Sequence, residues 1–398
     1  MAVPPAIAAR VAAVAARPTV RDALDWVARS EDVITEETIR VTEIPAPTFH
    51  ESGRATYIAE RLDALGLAGV TIAADGNVYG CLGGSASNTS PPLAIFVHMD
   101  TVFGHDVPVA VSQREGRLYA PGVGDNSAGL AGLLVALRAM QIGNAVPDRP
   151  VWIVATVGEE GLGNLVGATA ATDRLGRDLE AVVAIEGSFF GRVSHTAVGS
   201  RRLRVSFHAD GGHSWHDFGR SSAVHALVKA GAEIAALHVP SEPRTTFNIG
   251  EIRGGTGVNV IAECAEMVLD MRSISRSALD DLDRRVRRLL DGVQKRGVTV
   301  SVQVVGDRPA GSIAISHPLV QTCSAVLTHL GAAPQYAAAS TDANVALGRG
   351  IPAVTLGVTR GGGAHTLGEW IEIAPMVRGV QQIILMLGAL ARDGDAAT

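Results

Sequence analysis

The chain has 398 residues, of which 47% are hydrophobic and 19% are charged, as is usual for soluble globular proteins. This length suits more than one domain and allows a sizeable hydrophobic core. A formal net charge of −6 argues against nucleic acid or an anionic membrane as a partner, and no apolar run approaches the ~20 residues of a membrane span.

The N-terminal part of the sequence predicts helices followed by short strands. We predict helices over 6–16, 19–43 and 51–65, and strands over 70–73 and 77–82. The first of these helices is rich in alanine, but arginines interrupt it, so it does not resemble a signal peptide. Pro45 and Pro47 end the second helical pattern because proline disrupts a helix.

The sequence then alternates between apolar strands and helices. Strands are predicted over 93–97, 151–157, 181–185 and 353–358, with a Leu- and Ala-rich helix over 127–141. Such alternation predicts an α/β fold, in which a mostly parallel sheet is covered by helices on both faces.

The segment 198–311 breaks this rhythm. Strands are predicted over 202–209, 245–252, 260–272 and 298–304, and helices over 221–238 and 276–296. The order βαββαβ is typical of a small two-layer α+β unit. Because the alternation of strands and helices resumes afterwards, we predict that 198–311 is a domain inserted between the two parts of the catalytic domain, 1–197 and 312–398.

Three cysteines, Cys81, Cys264 and Cys323, are odd in number and far apart in the sequence. This spacing argues against a disulfide framework and against a cysteine-based zinc finger. A reducing cytoplasm is the simplest setting for such a chain.

Polar residues end the apolar strands or occupy the loops just after them. They are His98, Asp100, Asp125, Glu159, Glu160, Glu186 and His365. Ligand sites of open α/β sheets lie at this edge of the sheet. So many carboxylates and imidazoles in one place would be costly to desolvate unless divalent cations compensate them. Two histidines with several carboxylates suit zinc, manganese or cobalt.

Each of these residues also has a simpler explanation when it is taken alone. Asp125 could cap the helix that follows it, and the pair Glu159 and Glu160 could form a solvated turn. Glu186 could be structural, and His365 could simply be exposed in its glycine-rich loop. The occurrence of all of them together favours a metal site.

The ordered motifs resemble those of the M20 family of metallopeptidases. They are His98-Met99-Asp100, Gly124-Asp125, Glu159-Glu160, Glu186 and His365, with an inserted domain between the last two. This family contains aminoacylases, succinyl-diaminopimelate desuccinylase, acetylornithine deacetylase, glutamate carboxypeptidase and peptidases of the tripeptidase T type. The resemblance covers nearly the whole chain, including the segment 44–47 near its start.

The resemblance implies a site for two divalent metal ions. Asp125 would bridge the two ions. His98 and Glu186 would complete one metal site, and Glu160 and His365 the other. Zinc is the first expectation for both ions, with manganese or cobalt as alternatives.

The resemblance also implies catalytic roles. Glu159 would be the general base that takes a proton from the attacking water and passes it to the leaving amine. Asp100 would orient the imidazole of His98. The chain departs from the family directly after Asp125, because Asn126-Ser127 stands where many members carry a hydrophobic residue and lysine.

The inserted unit resembles the lid or dimerisation domain of the family, which implies a homodimer. His213, in Gly211-Gly212-His213-Ser214, matches a histidine that stabilises the tetrahedral oxyanion and that the partner subunit often contributes. Asn259 and Arg272 match positions that hold a substrate carboxylate in some members, a task that suits the arginine fork.

We therefore expect a cytoplasmic, metal-dependent hydrolase that cleaves an amide bond of a small carboxylate-bearing substrate, either a di- or tripeptide or an N-acyl amino acid. Hydrolysis of a non-peptide carbon–nitrogen bond, as in an N-acylated aromatic amine or a ureido acid, remains an alternative. A catalytically silent metal-binding scaffold is a second alternative. A serine hydrolase is disfavoured because no Gly-x-Ser-x-Gly occurs, and Gly122-Val123-Gly124 lacks the third glycine of a dinucleotide fingerprint.

Overall fold

A computed structural model describes residues 3–83, 90–176, 178–294 and 297–391. The elements before residue 198 are α1 (Pro5–Ala15), α2 (Pro18–Ala28), α3 (Glu31–Thr42), α4 (Ser52–Ala64), β1 (Ala68–Ile72), β2 (Val78–Leu82), β3 (Leu93–His98), β4 (Ser112–Arg114), β5 (Arg117–Tyr119), α5 (Ala128–Ile142), β6 (Val151–Thr156), α6 (Val166–Leu175), β7 (Ala181–Glu186) and β8 (Arg192–Ala197). A π-helical turn (Val123–Ser127) precedes α5, and a 3-10 turn (Gly161–Gly163) precedes α6.

The next elements are β9 (Gly199–His208), β10 (Gly212–His213), α7 (Ala223–Ala235), β11 (Thr245–Gly254), β12 (Val260–Ile261), β13 (Cys264–Ser273), α8 (Arg276–Gln294) and β14 (Thr299–Arg308). The chain continues with β15 (Gly311–Ser312), α9 (Pro318–His329), β16 (Gln335–Ala339), α10 (Ala343–Gly348), β17 (Ala353–Gly357), β18 (Gly361–Gly362), β19 (Trp370–Glu372) and α11 (Ala374–Leu390). Two compact units result, Met1–Ala197 with Ser312–Thr398 and Val198–Gly311, which we call the first and the second unit.

The first unit is built on a nine-stranded sheet in the order β1-β2-β6-β3-β7-β17-β8-β15, with β16 also paired to β8. The central neighbours β6, β3, β7 and β17 are all parallel. β2 joins β6 and β8 joins β17 in antiparallel fashion. The predicted α/β fold class with a mostly parallel central sheet is therefore confirmed.

Helices cover both faces of this sheet. In β3, Leu93 and Ile95 belong to a core that includes Leu134 of α5, whereas Phe96 packs in a separate core with Ala168 of α6. Successive side chains of a strand point to opposite faces. An uninterrupted apolar strand such as β3 therefore has to be buried on both sides, and its last residue lies at the edge of the sheet.

A small antiparallel sheet of four strands, in the order β18-β19-β5-β4, also belongs to the first unit. Trp370 of β19 pairs with Tyr119 of β5. This pairing brings the loop between β18 and β19 next to the segment that leads into the π-helical turn. No pattern in the sequence predicted it.

The second unit has an antiparallel sheet in the order β11-β13-β9-β14. Leu203, Val205 and Phe207 alternate along β9 and pack in one core with Leu227 of α7 and Leu282 of α8. A separate two-stranded ladder joins β10 to β12. The unit thus has the two layers that the order of its predicted elements indicated.

The predicted helix over 19–43 is two helices, α2 and α3. Ser30 lies between them, and its hydroxyl donates to the carbonyl of Trp26 at 2.7 Å. This side chain competes for a carbonyl group at the end of the helix, as serine commonly does. Among the helices of the described residues, none is both long and apolar enough to cross a membrane.

Candidate active site

Three neighbouring parallel strands deliver polar residues to one edge of the sheet. His98 is the last residue of β3, Glu186 is the last residue of β7, and Glu159 and Glu160 follow β6. Asp125 lies in the π-helical turn before α5, and His365 lies in the loop after β18. The carboxyl ends of parallel neighbours coincide in space, which is why strand ends far apart in the sequence can build one site.

His98 is 2% exposed and has partners at both ring nitrogens. Nδ1 lies 3.1 Å from the backbone oxygen of Asp100 and 3.4 Å from its Oδ1. Nε2 lies 3.0 Å from Oδ1 of Asp125 and 3.6 Å from Oε2 of Glu186. If Nδ1 carries the proton and donates to Asp100, then Nε2 offers its lone pair to a metal between Asp125 and Glu186.

Asp100 is fully buried and has more partners than the sequence indicated. Its Oδ1 accepts a hydrogen bond from the backbone of Glu159 at 3.0 Å, and its Oδ2 accepts one from the backbone of Glu160 at 2.9 Å. The hydroxyl of Thr48 donates to Oδ2 at 2.9 Å. One carboxylate therefore fixes the His98 ring and the glutamate pair after β6, both of which are buried.

The second imidazole completes a symmetrical arrangement around Asp125. Nε2 of His365 lies 3.1 Å from Oδ2 of Asp125 and 3.0 Å from Oε1 of Glu160. The two oxygens of Asp125 thus face two different histidines. The backbone of Asp125 is not helical, and α5 has no side-chain cap. Asp125 therefore does not act as a helix cap.

The donor set of this cluster fits a divalent cation. One ligand atom each from His98, Asp125 and Glu160 lies within 4.8 Å of the others. The set combines imidazole nitrogen and carboxylate oxygen, which zinc and similar ions prefer. The prediction of a metal site at this edge is supported by this geometry.

The protonation of the cluster shows how strongly its charges interact. Burial opposes a charge on His98, but hydrogen bonds to Asp100, Asp125 and Glu186 outweigh it and raise the pKa of His98 well above its ordinary value. Hydrogen bonds to Asp125 and Glu160 raise the pKa of His365 to about 10. Burial raises the pKa of Glu186 to about 7. Divalent cations would satisfy the same carboxylates and displace these protons.

Two buried residues beside the cluster were not assigned a role from the sequence. Asp342 accepts a hydrogen bond from the hydroxyl of Thr156 at 2.5 Å, and its charge contributes to the raised pKa of Glu186. Arg54 donates to the carbonyl of Met99 at 2.7 Å. No periodicity or strand end in the sequence marks either residue.

Glu369 is a third residue that sequence reasoning missed. It is 2% exposed, and its carboxylate accepts hydrogen bonds from the backbone N–H groups of Gly122, Gly124 and Asp125, each at 2.8 Å. Burial raises its pKa to about 7. The one signal in the sequence is its position four residues after His365, in the same loop.

The remaining predicted residues lie in the second unit. His213 is exposed, and its Nδ1 accepts hydrogen bonds from the backbone of Trp215 at 3.2 Å and of His216 at 3.4 Å. Asn259 is exposed on the adjoining segment, and its backbone oxygen accepts a hydrogen bond from the backbone N–H of Ser214 at 3.0 Å. These two residues are therefore close neighbours.

Arg272 lies on β13, which belongs to the four-stranded sheet of the second unit and not to the ladder of β10 and β12 beside His213 and Asn259. Its Nε donates to Asp270 at 2.7 Å, and its side chain is 43% exposed. The structure thus gives Arg272 a carboxylate partner within the second unit, which it shares with Arg202, whose Nε donates to the other oxygen of Asp270 at 3.1 Å.

The family model of "Peptidase family M20/M25/M40" matches residues 94–388, which is well over half of the chain. The chain belongs to this family. Among curated M20 relatives, a succinyl-diaminopimelate desuccinylase from Paraburkholderia xenovorans is 27% identical over 59% of this chain and 67% of its own length. The chain spans about two thirds of the length of the curated relatives that it matches.

Solved structures share the M20 fold. Aminopeptidase PepT from Bacillus cereus is 22% identical, covers 91% of this chain and 99% of its own, and has a TM-score of 0.76. The YXEP protein of Bacillus subtilis, described as a dinuclear metal binding peptidase from the M20 family, is 15% identical, covers 91% of this chain and 98% of its own, and has a TM-score of 0.68. The predictions of the family and of a metal-dependent hydrolase are confirmed.

Proposed function

We propose that this M20 protein hydrolyses an amide bond of a small substrate with a free carboxylate, either a di- or tripeptide or an N-acyl amino acid. The observation that carries the proposal is the position of Asp125. Its two oxygens lie 3.0 Å from His98 and 3.1 Å from His365, and each imidazole has a second carboxylate nearby, from Glu186 or Glu160. Such a set suits a pair of metal ions that share one carboxylate.

The proposed cofactor is a pair of divalent ions, zinc in the first instance and manganese or cobalt as alternatives. His98, Asp125 and Glu186 would hold one ion, and Asp125, Glu160 and His365 the other. When bound, such ions lower the pKa of water and polarise a carbonyl group.

Glu159 is the proposed general base, and it would accept a proton from the attacking water and donate it to the leaving amine. Glu160 has an extended backbone, with φ −80° and ψ 151°. Neighbouring residues of an extended segment point in opposite directions, so Glu159 and Glu160 can have different roles. Asp100 is the proposed positioning residue for both, since it binds the backbone of each glutamate.

His213 is proposed to stabilise the oxyanion of the tetrahedral intermediate. Because its Nδ1 accepts backbone hydrogen bonds, the proton of the neutral ring belongs on Nε2, which becomes a donor. Asn259 and Arg272 are proposed to bind the substrate carboxylate. The bond from Arg272 to Asp270 would hold the guanidinium in a fixed orientation for that task.

We also propose that the protein is a cytoplasmic homodimer that associates through the second unit, where the partner subunit could supply the oxyanion histidine. Light scattering of the purified protein tests this proposal, and a mass of one chain would contradict it. A dimer that persists without the second unit would also contradict it.

The decisive test is a hydrolysis screen by mass spectrometry. The purified protein is incubated with pooled di- and tripeptides, N-acyl amino acids and non-peptide amides, once loaded with zinc and once after chelation. We expect cleavage of a peptide or an N-acyl amino acid that chelation abolishes and added metal restores. Cleavage restricted to non-peptide amides would favour the alternative substrate class, and bound metal without any cleavage would favour a silent scaffold.

A further inference from the structure

The carboxylate of Glu369 is bound to a single short segment of the chain. Oε1 accepts hydrogen bonds from the N–H groups of Gly124 and Asp125, and Oε2 accepts one from Gly122, each at 2.8 Å. The backbone oxygen of Glu369 also accepts from Ala120 at 3.2 Å. Four hydrogen bonds thus hold this residue against the segment that carries the proposed bridging carboxylate.

The segment is shaped around this carboxylate. Gly122 has a φ of +74°, which favours glycine. A Cβ atom at Gly124 would lie 2.9 Å from Oε1 of Glu369 and 2.9 Å from the hydroxyl of Ser188, so a larger residue there would displace these groups. Successive N–H groups that converge in a turn form a concavity that binds acceptor oxygens, and here the side chain of Glu369 occupies it.

The same loop that carries Glu369 carries His365. The N–H of Thr366 donates to Gly363 at 3.0 Å, and that of Glu369 donates to Thr366 at 3.2 Å. These turns hold the two side chains at a set distance from each other. His365 contacts the carboxylate of Asp125 at 3.1 Å, while Glu369 binds the backbone of the same residue.

We infer that Glu369 is a positioning residue that ties the Asp125 turn to the His365 loop and thereby sets the placement of the ligands for both metal ions. The inference rests on the proposed function of the site. A bridging carboxylate serves two ions only when both of its oxygens are correctly placed, so a backbone that is free to shift weakens both positions. Partners of this kind in other metal sites contribute about 10–100-fold to metal affinity.

The test compares Glu369→Ala and Glu369→Gln with a matched buried glutamate elsewhere. Glu37 on α3 is 3% exposed and accepts hydrogen bonds from Tyr57 at 2.6 Å and from Arg61 at 3.2 Å, so Glu37→Gln is the control. The affinity for Zn²⁺ is measured by competition with a chromogenic chelator. The melting temperature of each variant is measured in EDTA.

We expect Glu369→Ala to weaken Zn²⁺ binding at both positions by about 100-fold and Glu369→Gln by about 10-fold, because the amide keeps one acceptor oxygen. Glu37→Gln should keep the affinity of the wild type even where its melting temperature falls. If Glu369→Ala does not fold, the glutamine variant alone gives the answer. With a substrate that the wild type hydrolyses, the Glu369 variants should show a larger fall in kcat than rise in KM.

The inference is overturned if a folded Glu369→Gln variant binds Zn²⁺ as tightly as the wild type, or if the Glu37 control loses as much affinity. A lower melting temperature with unchanged affinity would likewise assign Glu369 a role in stability alone. The outcome is separate from that of the proposed function. A wild type that binds two ions but hydrolyses no amide would contradict the proposed function and leave the measured effect of Glu369 on affinity in place.

Discussion

Two clusters of charged side chains, one in each unit, are built differently. In the second unit Arg201 contacts Asp280 at 3.1 Å, and Asp283 and Asp307 at 3.3 Å, and Arg287 contacts Asp283 at 3.0 Å. Each of these three carboxylates has a guanidinium partner. At the edge of the first unit, buried and partly buried carboxylates converge on two imidazoles instead.

This difference separates a structural network from a binding site. A carboxylate that is paired with arginine is already neutralised and gains little from an added cation. Buried carboxylates that share two imidazoles raise the pKa of those rings, as His365 shows, and they favour any cation that can reach them. Arg54 lies near this edge, but it donates to the carbonyls of Met99 and Ile44.

The largest effect is expected from Glu159→Ala. Loss of the proposed general base should lower kcat by about 10²–10⁴-fold, with metal content and fold unchanged, because Glu159 is not a proposed ligand. Asp280→Ala, in the network of the second unit, should leave kcat unchanged. Steady-state kinetics with metal analysis checks both, and an active, metal-loaded Glu159→Ala variant would remove Glu159 from the mechanism.

Metal binding should stabilise the protein through the cluster at the sheet edge of the first unit and not through the arginine–aspartate network of the second unit. Only the folded chain gathers the ligands, so Zn²⁺ at about 1,000 times its dissociation constant should add about 4 kcal/mol to the free energy of unfolding. Asp125→Asn should lose most of this gain because an amide offers one acceptor oxygen. Asp283→Asn should keep it. Denaturant titrations with Zn²⁺ and with EDTA measure the gain, and equal gains in both variants would be the contrary result.

Cys323 differs from both clusters, because it is a buried ionisable group that is neutral in the folded chain. Burial raises the pKa of this thiol from 9.0 to about 12. The unfolded chain releases the proton at a lower pH than the folded chain does, so this contribution to stability is present below pH 9 and is lost as the pH rises. Between pH 8 and 10 the loss is on the order of 1 kcal/mol.

The Cys323→Ala variant isolates this contribution. Its free energy of unfolding should fall less steeply than that of the wild type between pH 8 and 10, by an amount on the order of 1 kcal/mol over the interval. Parallel curves for the two proteins would show that the thiol does not titrate differently in the two states. The cavity left by the substitution shifts the whole curve and does not change its slope.

The smallest effect is expected from Arg201→Ala. Partly exposed ion pairs contribute little, so the loss of stability should be about 1 kcal/mol or less, and salt should reduce it further. Asp283 keeps a partner because Arg287 also binds it. Urea titration at low and high salt measures the effect, and a change in zinc affinity would break the distinction between the two clusters.

The parts of the site that the sequence predicted are those that end regular elements. His98 and Glu186 end apolar strands, and the alternation of elements places such ends at one edge. The roles of His213, Asn259 and Arg272 rest on the resemblance to M20 peptidases, because nothing in their local pattern distinguishes them from ordinary strand and turn residues.

The parts that could not be predicted depend on contacts between distant segments. Glu369 binds the N–H of Gly124 across 245 positions of sequence. Almost every residue has a backbone N–H, so the residue type does not reveal which of them donates to a distant side chain. Thr48 reaches Asp100 in the same way. The break between α2 and α3 lies at Ser30, whose hydroxyl donates to the carbonyl of Trp26, and helical periodicity does not mark its position.

The place where the chain leaves the first unit and returns to it has a consequence for protein engineering. The strands on either side of the second unit, β8 and β15, are neighbours in one sheet, and the N–H of Ile313 donates to His195 at 3.1 Å. The two cut ends are therefore already adjacent. A short linker that joins Ala197 to Ser312 would give a continuous chain. This chain would keep all seven polar residues at the edge of the sheet, which are His98, Asp100, Asp125, Glu159, Glu160, Glu186 and His365. Inserted domains of other sizes could replace the second unit at this junction.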